Sequence, residues 1–378
     1  MARNVVEVKP EVLEWAIQHA ELPPETLYQK FKWLGKKNPT LLQLENFAKA
    51  ARVSFTDLLL GEISEEPPLP LADFRTVADA KFEKPSANLR EILYLMELRQ
   101  EWMHDYCISN GMSPLPFVKS LSPAVKPKTA ADKIRHQLGL RVGWQMEHRT
   151  WENALRFFCD VIDESGVMMF FESGLDSHKR FDPEEFRGFT LVDDYAPLIF
   201  INSADVPAAQ MFTVAHELAH IWLGNSALYN LHESESCQKE RHANSIAAEL
   251  LVPADVFKEE WEKHQGHSAR YEEMAKLFRV SPLVIARRAL DLGYIDSNRY
   301  WGYFKARQKK WQEEKKARKT GGGDFYAARR KNISSSFSFA LFQSVNAGET
   351  LHRDAYDLLR MRGKTFDEYE KECKGRRR

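Results

Sequence analysis

Along the first sixty residues, apolar positions recur at three- and four-residue steps, the period of a helix with one buried face. Residues 8–22, 24–33, 40–53 and 54–60 each read as a short helix, with the clearest stripe over 40–53. A proline-rich stretch, Glu65 to Arg75, then reads as a linker. Residues 86–111 read as one amphipathic helix whose apolar side carries Leu89, Ile92, Leu93, Leu95, Met96 and Leu98. Its expected role is to lay the N-terminal helices onto the sheet-bearing domain. Helices are also expected over 129–138 and 150–164. The period then changes. Residues 167–172, 188–191 and 197–202 are short, almost continuously apolar runs, which suits buried strands on either side of a turn at Asp193-Asp194-Tyr195.

Helical spacing returns at Met211, Phe212, Val214, Leu218, Ile221 and Trp222. Asp205 is placed to cap this helix, Pro207 suits its first turn and Gly224 its C-terminal stop. A second helix covers 237–253 and ends at Pro253; two more are expected over 271–278 and 282–292. The fold class this predicts is α+β, a small mixed sheet just before a long buried helix. The expected division is a helical domain at 1–62, a linker and docking helix at 63–125, a sheet-bearing domain at 126–295 and a basic helical region at 296–378.

Within the buried helix stands His216-Glu217-Leu218-Ala219-His220. Residues four apart lie one above the other on a helix face. Both imidazoles therefore reach one Zn²⁺ at about 2.0–2.1 Å. Glu217 is then placed to take a proton as a general base. Three specified residues also arise by chance, and two satisfied core histidines are the bland alternative. The apolar surroundings weigh against it, because three polar groups on a buried helix need a partner and a metal provides one.

A catalytic zinc takes three protein ligands and keeps a position open. Leu223 and Ser226 stand where a third-histidine extension would need Gly and His, so that extension is absent. In the next helix Glu240, Ala243, Asn244, Ala247 and Leu251 share one face. That face favours Glu240 as third ligand, with Asn244 one turn on to hydrogen-bond a ligand histidine. His232, Glu233, Glu235, Cys237, His242 and Glu249 are rival donors nearby.

The segments His216 to Gly224 and Glu240 to Pro253 resemble the ImmA/IrrE family of metallopeptidases, whose pattern is HELxHxxLG and then ExxAN-x-(F/I)AAELL-x-P. The departure is Val252, where that family often has Met. The resemblance implies a gluzincin-like fold, zinc held by His216, His220 and Glu240, and Glu217 as general base. It implies an endopeptidase that cuts a specific regulatory partner, such as a repressor or toxin encoded nearby, in a bacterial or phage system. The alternative is a DNA-binding regulator or antitoxin that keeps the protease fold as a sensing module. Gluzincins present a sheet edge to the substrate backbone, and the strand with Ile199, Ile201 and Asn202 is the candidate, by main-chain pairing; its continuously apolar pattern equally suits a strand that is simply core. Candidate donors to the oxyanion are Tyr195, Tyr229, His232 and His242.

Composition adds three constraints. Four cysteines without paired spacing suit a reducing cytosol. No secretory signal or long apolar run appears, so a soluble cytoplasmic protein is expected, with no membrane partner. Net charge is zero, yet residues 296–378 carry 21 Lys+Arg against 11 Asp+Glu. Residues 36–44, with Phe47-Ala48 and 53–55, resemble the latter half of an XRE-type helix-turn-helix domain. Only residues 32–38 are left for a recognition helix, too few to enter a major groove. Any DNA binding is therefore expected to be weak and salt-sensitive, carried by 305–319 and 376–378.

Overall fold

The computed structural model describes residues 5–20, 22–51, 53–61, 85–175, 179–229, 238–317 and 333–375. The chain clusters into two compact units: Met1–Leu69 with Lys84–Glu91, and Pro70–Glu83 with Ile92–Arg378.

The first unit holds α1 (Pro10–His19), α2 (Pro24–Lys30), α3 (Leu41–Ala51) and α4 (Phe55–Leu60). Val12, Ala16, Leu27, Leu44, Phe47 and Leu58 form its core. Phe47 takes the ring edges of Phe31 and Trp33 at 5.4 and 5.6 Å. The helix expected over 24–33 stops at Lys30, and residues 31–39 run as turns and extended chain up to an isolated bridge between Val5 and Thr40. No α-helix stands in the recognition-helix position among the described residues.

In the second unit, α5 (Ala87–Ser109, whose first residues cluster with the other unit), α6 (Pro127–Gln137) and α7 (Trp151–Glu164) precede the sheet. Strands β1 (Met168–Glu172), β2 (Gly188–Leu191), β3 (Leu198–Asn202) and β4 (Ala227–Tyr229) lie in the order β1-β3-β2-β4. β3 runs parallel to β1 and antiparallel to β2, and β4 adds antiparallel to β2. Between β3 and β4 lies α8 (Pro207–Leu223), and after them come α9 (Gln238–Leu251), α10 (Ala254–Lys263), α11 (Arg270–Phe278), α12 (Pro282–Asp291) and α13 (Ser297–Ala317).

Alternation along the strands sorts the sheet into two faces. Met169, Ile199 and Ile201 point into one core with Met211, Val214 and Leu218 of α8 and Phe158 of α7. The opposite face is aromatic. Phe189 stacks on Phe200 at 4.8 Å, and Phe170 meets the edge of Phe337 at 5.6 Å. Phe337 belongs to α14 (Ser335–Ala347), which with α15 (His352–Leu359) and α16 (Lys364–Gly375) forms the C-terminal helices. Two buried charges tie them down. Arg99 of α5 sits 4.8 Å over the Phe170 ring and donates to Leu358 O at 2.8 Å. Asp163 of α7 accepts from the Ser334 hydroxyl and from Ser336 N at 2.9 Å, at the N-terminus of α14.

Two sequence expectations are corrected here. The strand of Ile199, Ile201 and Asn202 is not an edge, because β1 and β2 pair with it on both sides; an interior strand has no free main-chain groups to offer a peptide. The edge beyond β2 is β4, three residues long and too short to show a period. Asp205 does not cap α8: the N-cap is Val206, with no side-chain cap, and Asp205 faces Arg187 at 2.7 Å.

Candidate metal centre

Sequence places the site residues on two helices, and packing brings them together. α8 starts at Pro207, ends at Gly224 in the left-handed conformation, and is buried along nearly its whole length from Gln210 on. A buried helix has no water for its polar side chains, so His216, Glu217 and His220, all 0% exposed, must be satisfied internally. α9 packs directly on α8.

Glu240, in the first turn of α9, reaches both histidines. Its carboxylate oxygens lie 3.1 Å from His216 Nε2 and 3.3 Å from His220 Nε2. The two Nε2 atoms are 3.0 Å apart. Donors at 2.0–2.1 Å from a common ion in tetrahedral array stand about 3.3 Å from one another, so this set has the spacing of a zinc site. Among the described residues it is the cluster of three metal-type donors, all within 4.8 Å. Asn244, one turn after Glu240, accepts from His216 Nδ1 at 2.9 Å. That bond fixes the ring proton on Nδ1 and leaves the Nε2 lone pair for a metal.

The electrostatics favour ligation. Burial lowers the His216 pKa, which keeps the imidazole neutral; the neighbouring His220 lowers it further, while Glu240 and Asn244 offset part of the effect. Burial alone would raise the Glu240 carboxyl, but its bonds with His216 and His220 outweigh it and hold it below the usual carboxylate range. Glu217 is the contrast. Burial pushes its pKa well up, the Glu240 charge adds to this, and the Thr190 hydroxyl offsets part.

Glu217 has one oxygen engaged. The Thr190 hydroxyl of β2 donates to Oε2 at 2.7 Å. Oε1 is buried with no hydrogen-bond partner among the described residues, and the same holds for His220 Nδ1. Thr190 carries no motif and gives no signal in the sequence; only the strand register brings it here.

Of the rival ligands, Glu249 is taken by a buried ion pair with Arg288. His242 stands two positions beyond Glu240, about 200° round the helix, and is not in the donor cluster. His232, Glu233, Glu235 and Cys237 lie outside the described residues. Among the oxyanion candidates, Tyr195 meets the His104 ring edge-on at 5.3 Å; His242 Nε2 is buried without a partner among the described residues; the Tyr229 side chain and His232 lie outside them.

A small sheet backed by a buried His-Glu-x-x-His helix, with an acid delivered from the next helix, defines a gluzincin-like metallopeptidase fold. Residues 162–290 match the family model of the IrrE N-terminal-like domain, Peptidase M78. Residues 333–372, the C-terminal helices, match a domain of unknown function, DUF8813. Over 91 residues the chain is 36% identical to the radiation response metalloprotease IrrE of Deinococcus radiodurans, a match covering 22% of this chain and 28% of that protein. The chain thus matches less than a third of that relative's length. No solved structure matches. No helix among the described residues is long and apolar enough to cross a membrane.

Proposed function

We propose that this chain is a zinc-dependent endopeptidase of the cytoplasm that cuts a specific regulatory protein, a repressor or toxin encoded nearby, in a bacterial or phage system. The observation that carries the reading is the meeting of Glu240 with both histidines at zinc-site spacing, beside a buried carboxylate with one unengaged oxygen. His216, His220 and Glu240 hold the ion, and Asn244 orients His216. When bound, the metal supplies Lewis-acid polarisation of the scissile carbonyl and acidifies a water. Glu217 accepts that water's proton on Oε1 and returns it to the leaving amine. The substrate backbone pairs along β4, whose side away from β2 carries no paired strand among the described residues and whose Ala227 stands opposite Thr190.

A second, weaker property comes from α13. Its apolar residues Tyr300, Tyr303 and Phe304 pack on the core. Arg299, Lys305, Arg307 and Lys309 have no ion-pair partner among the described residues. Such a helix binds DNA weakly through phosphates, with affinity that falls steeply in salt.

The test uses the full chain with the regulators encoded beside it. Glu217→Gln keeps zinc and folding but loses cleavage, and Glu240→Ala loses zinc by elemental analysis. A Glu217→Gln protein that supports the complete cellular phenotype would sink the protease reading in favour of a regulator or antitoxin that uses the fold as a sensor.

A further inference from the structure

We propose that Thr190 is the positioning residue of the general base, the group that fixes which oxygen of Glu217 accepts the proton. The proposal rests on the protease reading of this site. It starts from a match of two spacings. Two residues along a strand advance about 6.6 Å, and four residues along a helix advance about 6.0 Å. β2 packs on α8, and its inward residues Gly188 and Thr190 meet Thr213 and Glu217 in the same order. A Cβ built on Gly188 would lie 2.9 Å from Thr213 Cγ2 and 2.8 Å from Phe200 O. Glycine at 188 therefore lets the strand approach the helix, and one step further the Thr190 hydroxyl meets the Glu217 side chain.

The hydroxyl has a single proton and two acceptors in reach. Glu217 Oε2 is at 2.7 Å and Glu217 O at 3.2 Å. The shorter contact, to the side-chain carboxyl, takes the proton. The terminal torsion of a glutamate is broad and two-fold, so an unheld carboxylate presents either oxygen. Pinning Oε2 removes that freedom. It leaves Oε1, buried and without a partner among the described residues, as the single proton acceptor. A threonine kept only to satisfy its own hydroxyl would need just a backbone carbonyl, which the same helix offers.

The experiment compares the zinc-loaded full chain with Thr190→Val, which keeps the shape and removes the hydroxyl, and Thr190→Ser, which keeps the hydroxyl. The regulator encoded beside the chain serves as probe, with Glu217→Gln as control. A hydrogen bond to a charged group is worth about 1.5–3 kcal/mol, so Thr190→Val should lower kcat roughly ten- to a hundredfold with KM unchanged. Thr190→Ser should stay within about threefold of wild type, and zinc content should not move in either. A second readout needs no activity: in urea unfolding of the metal-free protein, Thr190→Val should shift the midpoint less when Glu217 is already Ala, because the partner is gone. Wild-type kcat in Thr190→Val, a Ser variant as slow as Val, or equal midpoint shifts in both backgrounds would each overturn the proposal. If wild type and Glu217→Gln treat the probe alike, the protease reading falls and takes this role with it; if that control separates them and only the Thr190 comparison fails, this proposal falls alone.

Discussion

Replacing Arg288 with methionine should destabilise the second unit more than most single substitutions, because Arg288 closes the C-terminal end of the helix that delivers Glu240. The last carbonyls of a helix have no partner within it and need donors from elsewhere when they are buried. Here Arg135 Nη1 donates to Glu249 O and Leu250 O at 3.0 and 3.1 Å. Gln145 reaches Leu251 O, and Arg288 Nε donates to Val252 O at 2.9 Å. Arg288 also pairs with the Glu249 carboxylate, which is 5% exposed and has one other bond, a long one from Ala254 N at 3.3 Å. Arg288→Met fills the same space but strands that carboxylate. Breaking a buried pair from one side costs about 3–5 kcal/mol. With an m-value near 3 kcal/mol/M, the urea midpoint should fall by about 1–2 M. The double variant Arg288→Met/Glu249→Gln no longer buries a charge and should regain at least half of the loss. A single variant within about 0.5 kcal/mol of wild type, or a double variant as unstable as the single, would show that the ion pair does not hold the end of α9.

Two further outcomes are expected. Gly188→Ala should cost about 1–3 kcal/mol by overpacking, since the new Cβ meets a backbone oxygen that cannot swing away; a wild-type melting temperature would refute it. Asp163 supplies a pH test. Burial pushes its carboxyl up, and bonds from Ser334, Ser336 and Met169 offset only part. A folded pKa above the unfolded one means that its contribution is full below the unfolded value, about 3.9, and is lost as pH rises through the folded value. Relative to Asp163→Asn, wild type should therefore lose stability from about pH 4 upward in urea unfolding, and a pH-independent difference would refute the reasoning.

Legibility in the sequence tracks the range of each interaction. The donors on α8 are readable because four residues of helix fix their relation, and Asn244 and Glu240 because the same rule places them one turn apart. The strands over 168–172 and 198–202 are readable as apolar runs, but their order is not. Residues 198–202 look like any buried strand, and only pairing with β1 on one side and β2 on the other makes them interior. Asp205 looks like a cap, yet Arg187 from a different element claims it. The C-terminal helices look like a basic appendage; the phenylalanine that seats them, Phe337, meets β1 across the aromatic face of the sheet, a contact between residues 167 positions apart that no local pattern announces.

The same distinction separates the two halves of the candidate site. The metal half is written in one helical period per helix, so a change there is visible as a broken motif. The proton half depends on a strand and a helix staying in step, through Gly188 against Thr213 and Thr190 against Glu217, with hydroxyl and carboxylate 27 positions apart in the chain. A chain could keep His216, Glu217, His220 and Glu240 and still hold its base badly, through one methyl group at 188 or one lost hydroxyl at 190. An intact His-Glu-x-x-His is thus evidence for an ion and only half the evidence for hydrolysis. In this chain the strand comes close enough for the Thr190 hydroxyl to hold Oε2, and Oε1 is left without a partner among the described residues.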